Sequence, residues 1–267
     1  MAISRLIEFE KLNNTRDLGG MTGADGRRIK SGKLIRSGHL SFCTKADVEK
    51  LSGLLSVIVD FRSSQEYTRQ PDLEIPGAVH VQLPMHEEIL PGISRDKASM
   101  DILAQNPVLL VHEPESAFKH MVGLYSIMVD SDYTLAHLAH FVDICAEGHD
   151  KAVLWHCTAG KDRAGFATVI LQKILGVSDA DIFADYRATD DFIREECEFI
   201  GRELMHLDMD DPVVRESMGY LFGTHDDFLK TLLGKIDCVY GSFDAFLSGG
   251  LGVTEEKKAK LREMYLE

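Results

Sequence analysis

The chain has 267 residues, 45% of them hydrophobic and 27% charged, which is typical of one large soluble domain or two small ones. Its 43 acidic and 29 basic residues give a formal net charge of −14, which argues against a protein that binds nucleic acid through many Lys and Arg contacts to phosphates. The same balance argues against docking on anionic lipid through a basic patch. If the substrate is an anion, a locally positive pocket must overcome a repulsive overall field.

The amino-terminal segment carries charged side chains at Arg5, Glu8, Glu10 and Lys11, so it lacks the apolar stretch of a signal peptide. The most apolar run, residues 51–61, is much shorter than the roughly 20 residues needed to cross a bilayer. The five cysteines are scattered and odd in number, which favours reduced thiols over a disulfide framework. We therefore expect a cytoplasmic protein with no stable membrane anchor.

In chain order, four short runs rich in Val, Ile and Leu predict strands at residues 33–36, 56–61, 78–83 and 151–156. The runs are continuous rather than alternating, which is typical of strands buried on both faces of a parallel sheet. Because helical patterns lie between and after these strands, the predicted fold class is α/β, with a central, mostly parallel sheet flanked by helices.

Three helix starts are marked by residues whose side chains accept hydrogen bonds from the first free N–H groups of a helix. Thr44 is expected to cap a helix reaching about residue 55, and Ser178 one reaching about residue 188. Thr254 is followed by two glutamates, which the helix dipole favours in a first turn.

The remaining pattern is helical. Residues of about 85–150 show no obvious strand and are interpreted as a helical insertion, and residues of about 190–267 as a helical C-terminal part. With no repeat and no linker, residues 1–267 are predicted to form a single domain. The insertion around residues 115–138 is either a mobile lid over the site or an extra packing layer.

The most informative segment is residues 152–165, where a strand of the buried type leads through a short loop into an apolar-periodic helix. The loop contains Cys157 and, six residues later, Arg163. That spacing alone is weak evidence for a functional site. The motif becomes specific through its surroundings, which are His156 before the cysteine, Gly160 and Gly165, and the strand and helix on either side.

A loop that closes on a helix N-terminus points several backbone N–H groups at one spot, which makes an anion-binding cradle. Gly160 permits a tight curl, and the guanidinium of Arg163 matches two phosphate oxygens. Cys157 would lie at the floor of the cradle, where helix N-termini and cations lower the pKa of a cysteine from its usual value of about 8.5. The residues assigned to phosphate binding are Thr158, Ala159, Gly160, Lys161 and Arg163.

This loop resembles the H-C-x5-R signature of the Cys-based protein tyrosine phosphatase superfamily, and most closely the H-C-x-A-G-K-D-R loop of its atypical bacterial and fungal branch. Residues 14–20 (N-T-R-D-L-G-G) resemble that branch's N-x-R-D-x-G-G segment, and residues 56–62 resemble its strand ending in Asp-x-Arg. Residues 240–243 and 250–252 are similar to its C-terminal region.

The resemblance implies a phosphomonoester hydrolase with a phosphocysteine intermediate and no cofactor. Its substrate would be a protein phosphotyrosine, with dual specificity or a phosphoinositide as alternatives. A rhodanese-type sulfurtransferase is a rival, since it also carries a cysteine on a strand-to-helix loop. A catalytically inactive phosphopeptide-binding module is another rival, although such proteins usually lose the Cys or the Arg. The oligomeric state is not predicted.

The general acid has two candidates. In the resembled branch it is an Asp inside the loop, and Asp162 has that position. Asp60, at the end of a predicted parallel strand, is the alternative, with an ion pair to Arg62 as its structural interpretation. A metal site at His137 and His140, three residues apart, is not favoured because no carboxylate motif accompanies them.

The other residues of the loop region are given supporting roles. His156 is expected to support the ionised thiol rather than to act as an acid or base. Lys161 is expected to add positive charge to the rim of the pocket, as in phosphatases that act on phosphorylated inositols. Arg16 and Asp17 are interpreted as scaffolding that braces the cradle.

Ala164 departs from the family pattern, which usually has Ser or Thr directly after the Arg to ease expulsion of the thiolate. We therefore expect slow hydrolysis and accumulation of the phosphocysteine, with the first chemical step retained. Pre-steady-state measurement with an aryl phosphate should show a burst of released phenol, and a trace without a burst would contradict this expectation.

Overall fold

The computed structural model describes residues 4–87 and 110–267. They include a six-stranded sheet in the order β1-β2-β3-β6-β4-β5, in which β3, β6, β4 and β5 are parallel. The strands are β1 (Arg5–Leu6), β2 (Arg16–Asp17), β3 (Leu34–Ser37), β4 (Leu55–Asp60), β5 (Val79–Gln82) and β6 (Ala152–His156). The predicted α/β class and mostly parallel sheet are confirmed. Two antiparallel strands, β1 and β2, extend one edge. They were not predicted, because two residues carry no periodicity.

Ten helices surround the sheet within the described ranges. They are α1 (Lys45–Leu54), α2 (Ser64–Arg69), α3 (Pro114–Asp130), α4 (Asp132–Glu147), α5 (Asp162–Ile174), α6 (Asp179–Arg187), α7 (Thr189–Phe199), α8 (Pro212–Phe222), α9 (Asp226–Tyr240) and α10 (Glu255–Tyr265), with short turns of helix between some of them. The predicted caps are confirmed, since the side chains of Thr44, Ser178 and Thr254 each accept a hydrogen bond from a backbone N–H in the first turn. Of the predicted insertion, the part formed by α3 and α4 is helical, and residues 88–109 lie outside the described ranges.

The sheet separates two apolar clusters, because successive side chains of a strand point to opposite faces. Ile58 of β4 and Leu154 of β6 pack on the side of α1, whereas Val59 and Trp155 pack with α3, α4 and α5. Burial of β3, β4 and β6 on both faces is therefore confirmed. The prediction of burial on both faces is wrong for β5. This strand lies at the edge of the sheet, and its Val79 is 62% exposed.

The carboxyl ends of three parallel strands meet at one edge of the sheet. In the strand register, His156 at the end of β6 lies opposite Ser37 of β3 and Asp60 of β4. The chain segments that follow these three strands must therefore converge, which is where open α/β sheets bind ligands. Cys157 is the first residue after β6. No helix in the described ranges combines the length and apolarity that crossing a bilayer requires.

Candidate active site

The loop between β6 and α5 consists of residues 157–161, and Cys157 at its start is almost fully buried. Gly160 has a φ of +68°, a left-handed conformation that glycine adopts without strain. A Cβ at this position would lie 2.4 Å from the carbonyl oxygen of Ser37. The tight curl predicted for the loop is therefore confirmed, and it depends on glycine for both conformation and space.

The carbonyl groups of the loop are bonded away from its centre. Asn14 Nδ2 donates to the carbonyl of Ala159 at 2.9 Å, the backbone N–H of His39 to that of Thr158 at 3.1 Å, and Arg36 Nη2 to that of Gly160 at 2.6 Å. In a trans peptide the following N–H points opposite to the carbonyl. The N–H groups of residues 159–161 are consequently directed to the other side, which is the arrangement of an anion cradle.

Arg163 in the first turn of α5 is fully buried and forms a two-pronged ion pair with Glu66 of α2. Its Nη1 lies 2.6 Å from Oε2 and its Nη2 lies 2.9 Å from Oε1. Glu66 also accepts a hydrogen bond from Thr158 Oγ1 at 2.7 Å, so it joins both ends of the loop. Burial by itself would lower the pKa of Arg163, but the charge of Glu66 and the hydrogen bonds to it outweigh that effect and raise the pKa. Arg163 is thus charged and faces Cys157.

A second guanidinium, that of Arg36 on β3, lies close to the cysteine. Burial lowers the pKa of Arg36, and the negative charge of Asp185 opposes that effect. Arg36 forms an ion pair with Asp185 at 3.6 Å, and Asp185 also binds Arg16 at 3.3 Å. Among the described residues, Arg36 and Arg163 are thus two cations near Cys157, and the sequence analysis identified only Arg163.

The residues interpreted as scaffolding, Arg16 and Asp17, have different partners. Arg16 contacts the loop through the chain Arg16–Asp185–Arg36, and burial lowers the pKa of Arg16 to about 9. Asp17 accepts hydrogen bonds from the backbone N–H groups of Gly19 at 2.9 Å and of residue 32 at 2.8 Å. It stabilises neighbouring turns and has no described hydrogen bond to the loop of Cys157.

His156 belongs to a buried ionic cluster below the loop. Its Nε2 lies 3.0 Å from Asp72, and Arg62 binds both Asp60 at 2.8 Å and Asp72 at 2.9 Å. Burial opposes the charged form of His156, but Asp72 and Asp60 raise its pKa overall. Asp60, His156 and Asp72 also lie close enough together to hold a metal ion, yet the guanidinium of Arg62 already forms ion pairs with both carboxylates. The ion pair of Asp60 with Arg62 agrees with its structural interpretation.

Asp162, the other candidate acid, is buried at the start of α5. Its Oδ1 accepts a hydrogen bond from Tyr125 Oη of α3 at 2.7 Å and lies 3.4 Å from Lys161 Nζ.

The ammonium of Lys161 donates to the carbonyls of Leu221 at 3.1 Å and Gly223 at 2.9 Å, at the end of α8. Lys161 is fully buried, and its ammonium is bound to these two carbonyls. The carbonyls that α8 leaves free at its end attract the ammonium inward.

A cavity of about 830 Å³ adjoins the loop, with Thr158 and Ala159 in its wall. On one side lie His39 and Phe42, whose ring centroids are 5.2 Å apart, and on the other side lies Phe199 of α7. Phe42 is 62% exposed and Phe199 is 56% exposed. Three rings therefore line the cavity beside the loop.

Sequence reasoning missed several residues of this site, namely Asn14 as a hydrogen-bond donor to the loop, Arg36, Glu66, Asp72, Tyr125 and Asp185. Glu66 had a local signal, because Ser63 and Glu66 form a capping box at the start of α2. That signal predicts a helix start and does not identify the partner of the glutamate.

A family model described as "Tyrosine phosphatase family" matches residues 7–267 of this chain. A Cupriavidus necator protein whose name places it among the tyrosine-protein phosphatases is 32% identical, over 97% of this chain and 88% of its own length. A triple specificity protein phosphatase of Mycobacterium tuberculosis is 24% identical, over 89% of this chain and 92% of its own length. A tyrosine-protein phosphatase of Nostoc commune is also 24% identical, over 88% of this chain and 74% of its own length.

We expect Gly160→Ala to destabilise the protein by about 2–4 kcal/mol, because the new Cβ meets the Ser37 carbonyl and the left-handed backbone becomes strained. Urea unfolding followed by circular dichroism measures the change. Gly53→Ala in α1, where nothing lies near the new Cβ, is the control and should leave stability unchanged or slightly increased. A Gly160→Ala protein as stable as the wild type would contradict the account of the loop.

Stability should depend on pH through His39, because burial lowers the pKa of this histidine to about 4. Because the unfolded chain binds a proton at this histidine more readily than the folded chain does, lowering the pH favours unfolding. The contribution of His39 to stability is therefore complete above the unfolded-state pKa of about 6.5 and is lost as the pH falls toward 4. The unfolding free energy of wild type minus that of His39→Gln should therefore decrease by about 3 kcal/mol between pH 7 and pH 4.

The control for that measurement is Gly53→Ala in α1, because this substitution changes no titratable group. Its difference from wild type should stay nearly constant over the same range. If the difference in unfolding free energy between wild type and His39→Gln does not vary with pH, the pKa of His39 is not lowered in the folded protein.

Proposed function

Because the chain belongs to the tyrosine phosphatase family, whose members are phosphatase hydrolases, we propose that it hydrolyses protein phosphotyrosine through a phosphocysteine on Cys157. The observation that carries this proposal is the convergence of three features at one point. Cys157 lies at the start of the loop, the loop N–H groups are directed inward, and Arg163 is held beside them by Glu66.

In the proposed first step, the thiolate of Cys157 attacks phosphorus opposite to the ester oxygen, an S–P bond forms and the P–O bond breaks. The loop N–H groups and Arg163 hold the three equatorial oxygens, whose charge they stabilise in the transition state. Arg163 donates to both carboxylate oxygens of Glu66, at 2.6 and 2.9 Å. Glu66 thus fixes the guanidinium before the substrate arrives.

Asp162 is the proposed general acid, which protonates the leaving oxygen and then, as a carboxylate, accepts a proton from the water that hydrolyses phosphocysteine. Asp60 is the weaker candidate, because its carboxylate receives hydrogen bonds from the guanidinium of Arg62 at 2.8 to 3.1 Å. Both oxygens of this carboxylate are thus already bound to the guanidinium.

Two features favour a phosphotyrosyl protein over a phosphoinositide. The ammonium of Lys161 is bound to backbone carbonyls, so in this conformation its charge is withdrawn from a heavily phosphorylated ligand. The cavity beside the loop is flanked by the rings of Phe42 and Phe199, which suit an aromatic ester and apolar neighbouring residues. Cys157 is also 1% exposed, and a long tyrosyl ester reaches a deep nucleophile more easily than a seryl ester does.

The mycobacterial relative is named for triple specificity, so a broader substrate range is the second candidate. The narrow and the broad range differ in whether phosphoserine peptides and phosphoinositides are also hydrolysed at comparable rates. A rhodanese-type enzyme would instead turn over thiosulfate.

The test compares kcat/KM for phosphotyrosine, phosphoserine and phosphothreonine peptides and a phosphoinositide, with a metal chelator present throughout. We expect the phosphotyrosine peptide to exceed each of the others by at least about tenfold in kcat/KM, because its aromatic ring suits the ring-lined cavity beside the loop. Comparable values for all four would favour the broad range. Thiosulfate turnover without phosphatase activity would contradict the proposal.

Cys157→Ser should lower kcat by about 10⁴-fold or more while phosphopeptide binding is retained, because the nucleophile is lost and the cradle remains. Cys238→Ser, which alters an exposed cysteine, is the matched control and should retain full activity. Activity that survives Cys157→Ser would overturn the phosphocysteine mechanism.

A further inference from the structure

Helix α3 contributes a side chain to the candidate site from a distant part of the chain. Tyr125 Oη donates a hydrogen bond to Asp162 Oδ1 at 2.7 Å, and Tyr186 Oη of α6 lies 3.0 Å from the same tyrosine oxygen. Both tyrosines are buried. Burial, followed by the negative charge of Asp162, holds the pKa of Tyr125 well above its usual range. Tyr125 therefore keeps its proton and acts as a donor at neutral pH.

The two oxygens of the Asp162 carboxyl group have unequal surroundings. Oδ1 receives the hydroxyl of Tyr125 and has the ammonium of Lys161 at 3.4 Å. Among the residues that the structure describes, no hydrogen-bond donor is bound to Oδ2. A proton added to the carboxyl group consequently resides on Oδ2, because Oδ1 already faces a donor and a cation.

We propose that Tyr125 is a positioning residue for Asp162, which it orients so that Oδ2 carries the proton delivered to the leaving group. This inference rests on the proposed function, in which Asp162 is the general acid. In the first step the proton moves from Asp162 Oδ2 to the ester oxygen as the P–O bond breaks, and the carboxylate remains hydrogen-bonded to Tyr125 through Oδ1. Tyr125 itself transfers no proton.

The structural alternative is that Tyr125 merely satisfies a buried carboxylate. Both roles predict a loss of stability when the hydroxyl is removed. Only the positioning role predicts that the loss of activity depends on the leaving group, because a general acid matters most when the departing oxygen is a strong base. The leaving-group dependence of kcat/KM is therefore the decisive readout.

The experiment measures kcat/KM of the full chain with phenyl phosphate, a poor leaving group, and with p-nitrophenyl phosphate, a good one. Tyr125→Phe should lower kcat/KM about tenfold for phenyl phosphate and less than about twofold for p-nitrophenyl phosphate. Asp162→Asn should show the same selectivity with a larger loss. Adding Tyr125→Phe to Asp162→Asn should cause no further selective loss, because the group that Tyr125 orients is absent.

Tyr265→Phe is the matched control. Tyr265 is also a buried tyrosine whose hydroxyl donates one hydrogen bond, to the carbonyl of Cys145 at 2.7 Å. It should lower thermal stability without changing the ratio of the two kcat/KM values. If Tyr125→Phe does not fold, Tyr186→Phe removes the neighbour of the Tyr125 hydroxyl and should give a smaller loss, about threefold, with the same selectivity.

An equal loss for both substrates, no loss, or a selective loss that persists in the Asp162→Asn background would overturn the role of Tyr125. If Asp162→Asn retains the wild-type leaving-group dependence, Asp162 is not the acid and the role of Tyr125 falls with it. The proposed function then still stands as long as a phosphoenzyme is trapped on Cys157. Absence of that phosphoenzyme, and of hydrolysis of either substrate, would instead reject the proposed function itself.

Discussion

The site depends on the hydrogen bond from Arg36 to the carbonyl of Gly160, at 2.6 Å, together with the bonds from Asn14 and His39 to the two preceding carbonyls. A peptide group has its carbonyl and the next N–H on opposite sides. Fixing the carbonyls outward therefore directs the N–H groups inward. The three donors lie just before β2, in β3 and just after β3, so these segments together determine the shape of the loop.

Burying two arginines beside one cysteine is costly, because charged groups lose solvation in the interior. The protein offsets this cost by giving each guanidinium a buried carboxylate, Glu66 for Arg163 and Asp185 for Arg36. Asp185 also forms an ion pair with Arg16, so this one aspartate of α6 binds two guanidinium groups. The positive charge that remains is concentrated at the loop. A chain of net charge −14 can thus present a locally positive site, since nearby buried charges outweigh distant screened ones.

The carboxylates of the ionic cluster beneath the loop have surroundings that differ from those of Asp162. Asp60 and Asp72 are bound by Arg62 and accompanied by His156, and their charges stabilise the end of the sheet. Asp162 has a tyrosine hydroxyl and an ammonium near one oxygen only. These surroundings agree with the proposal that Asp162 rather than Asp60 is the general acid.

Much of this protein was determined by local sequence alone. The strand of residues 152–156, the glycine turn and the helix starting at Asp162 follow from short-range patterns, as do the caps at Thr44, Ser178 and Thr254. The spacing of Cys157 and Arg163 could be recognised for the same reason, since both lie in one continuous turn. Tertiary structure alone decided the partners: Glu66 for Arg163, Arg36 for Gly160, Tyr125 for Asp162, and the end of α8 for Lys161. These contacts join residues tens of positions apart, and the direction of a buried charged side chain is set by whichever neighbours the folded chain brings to it.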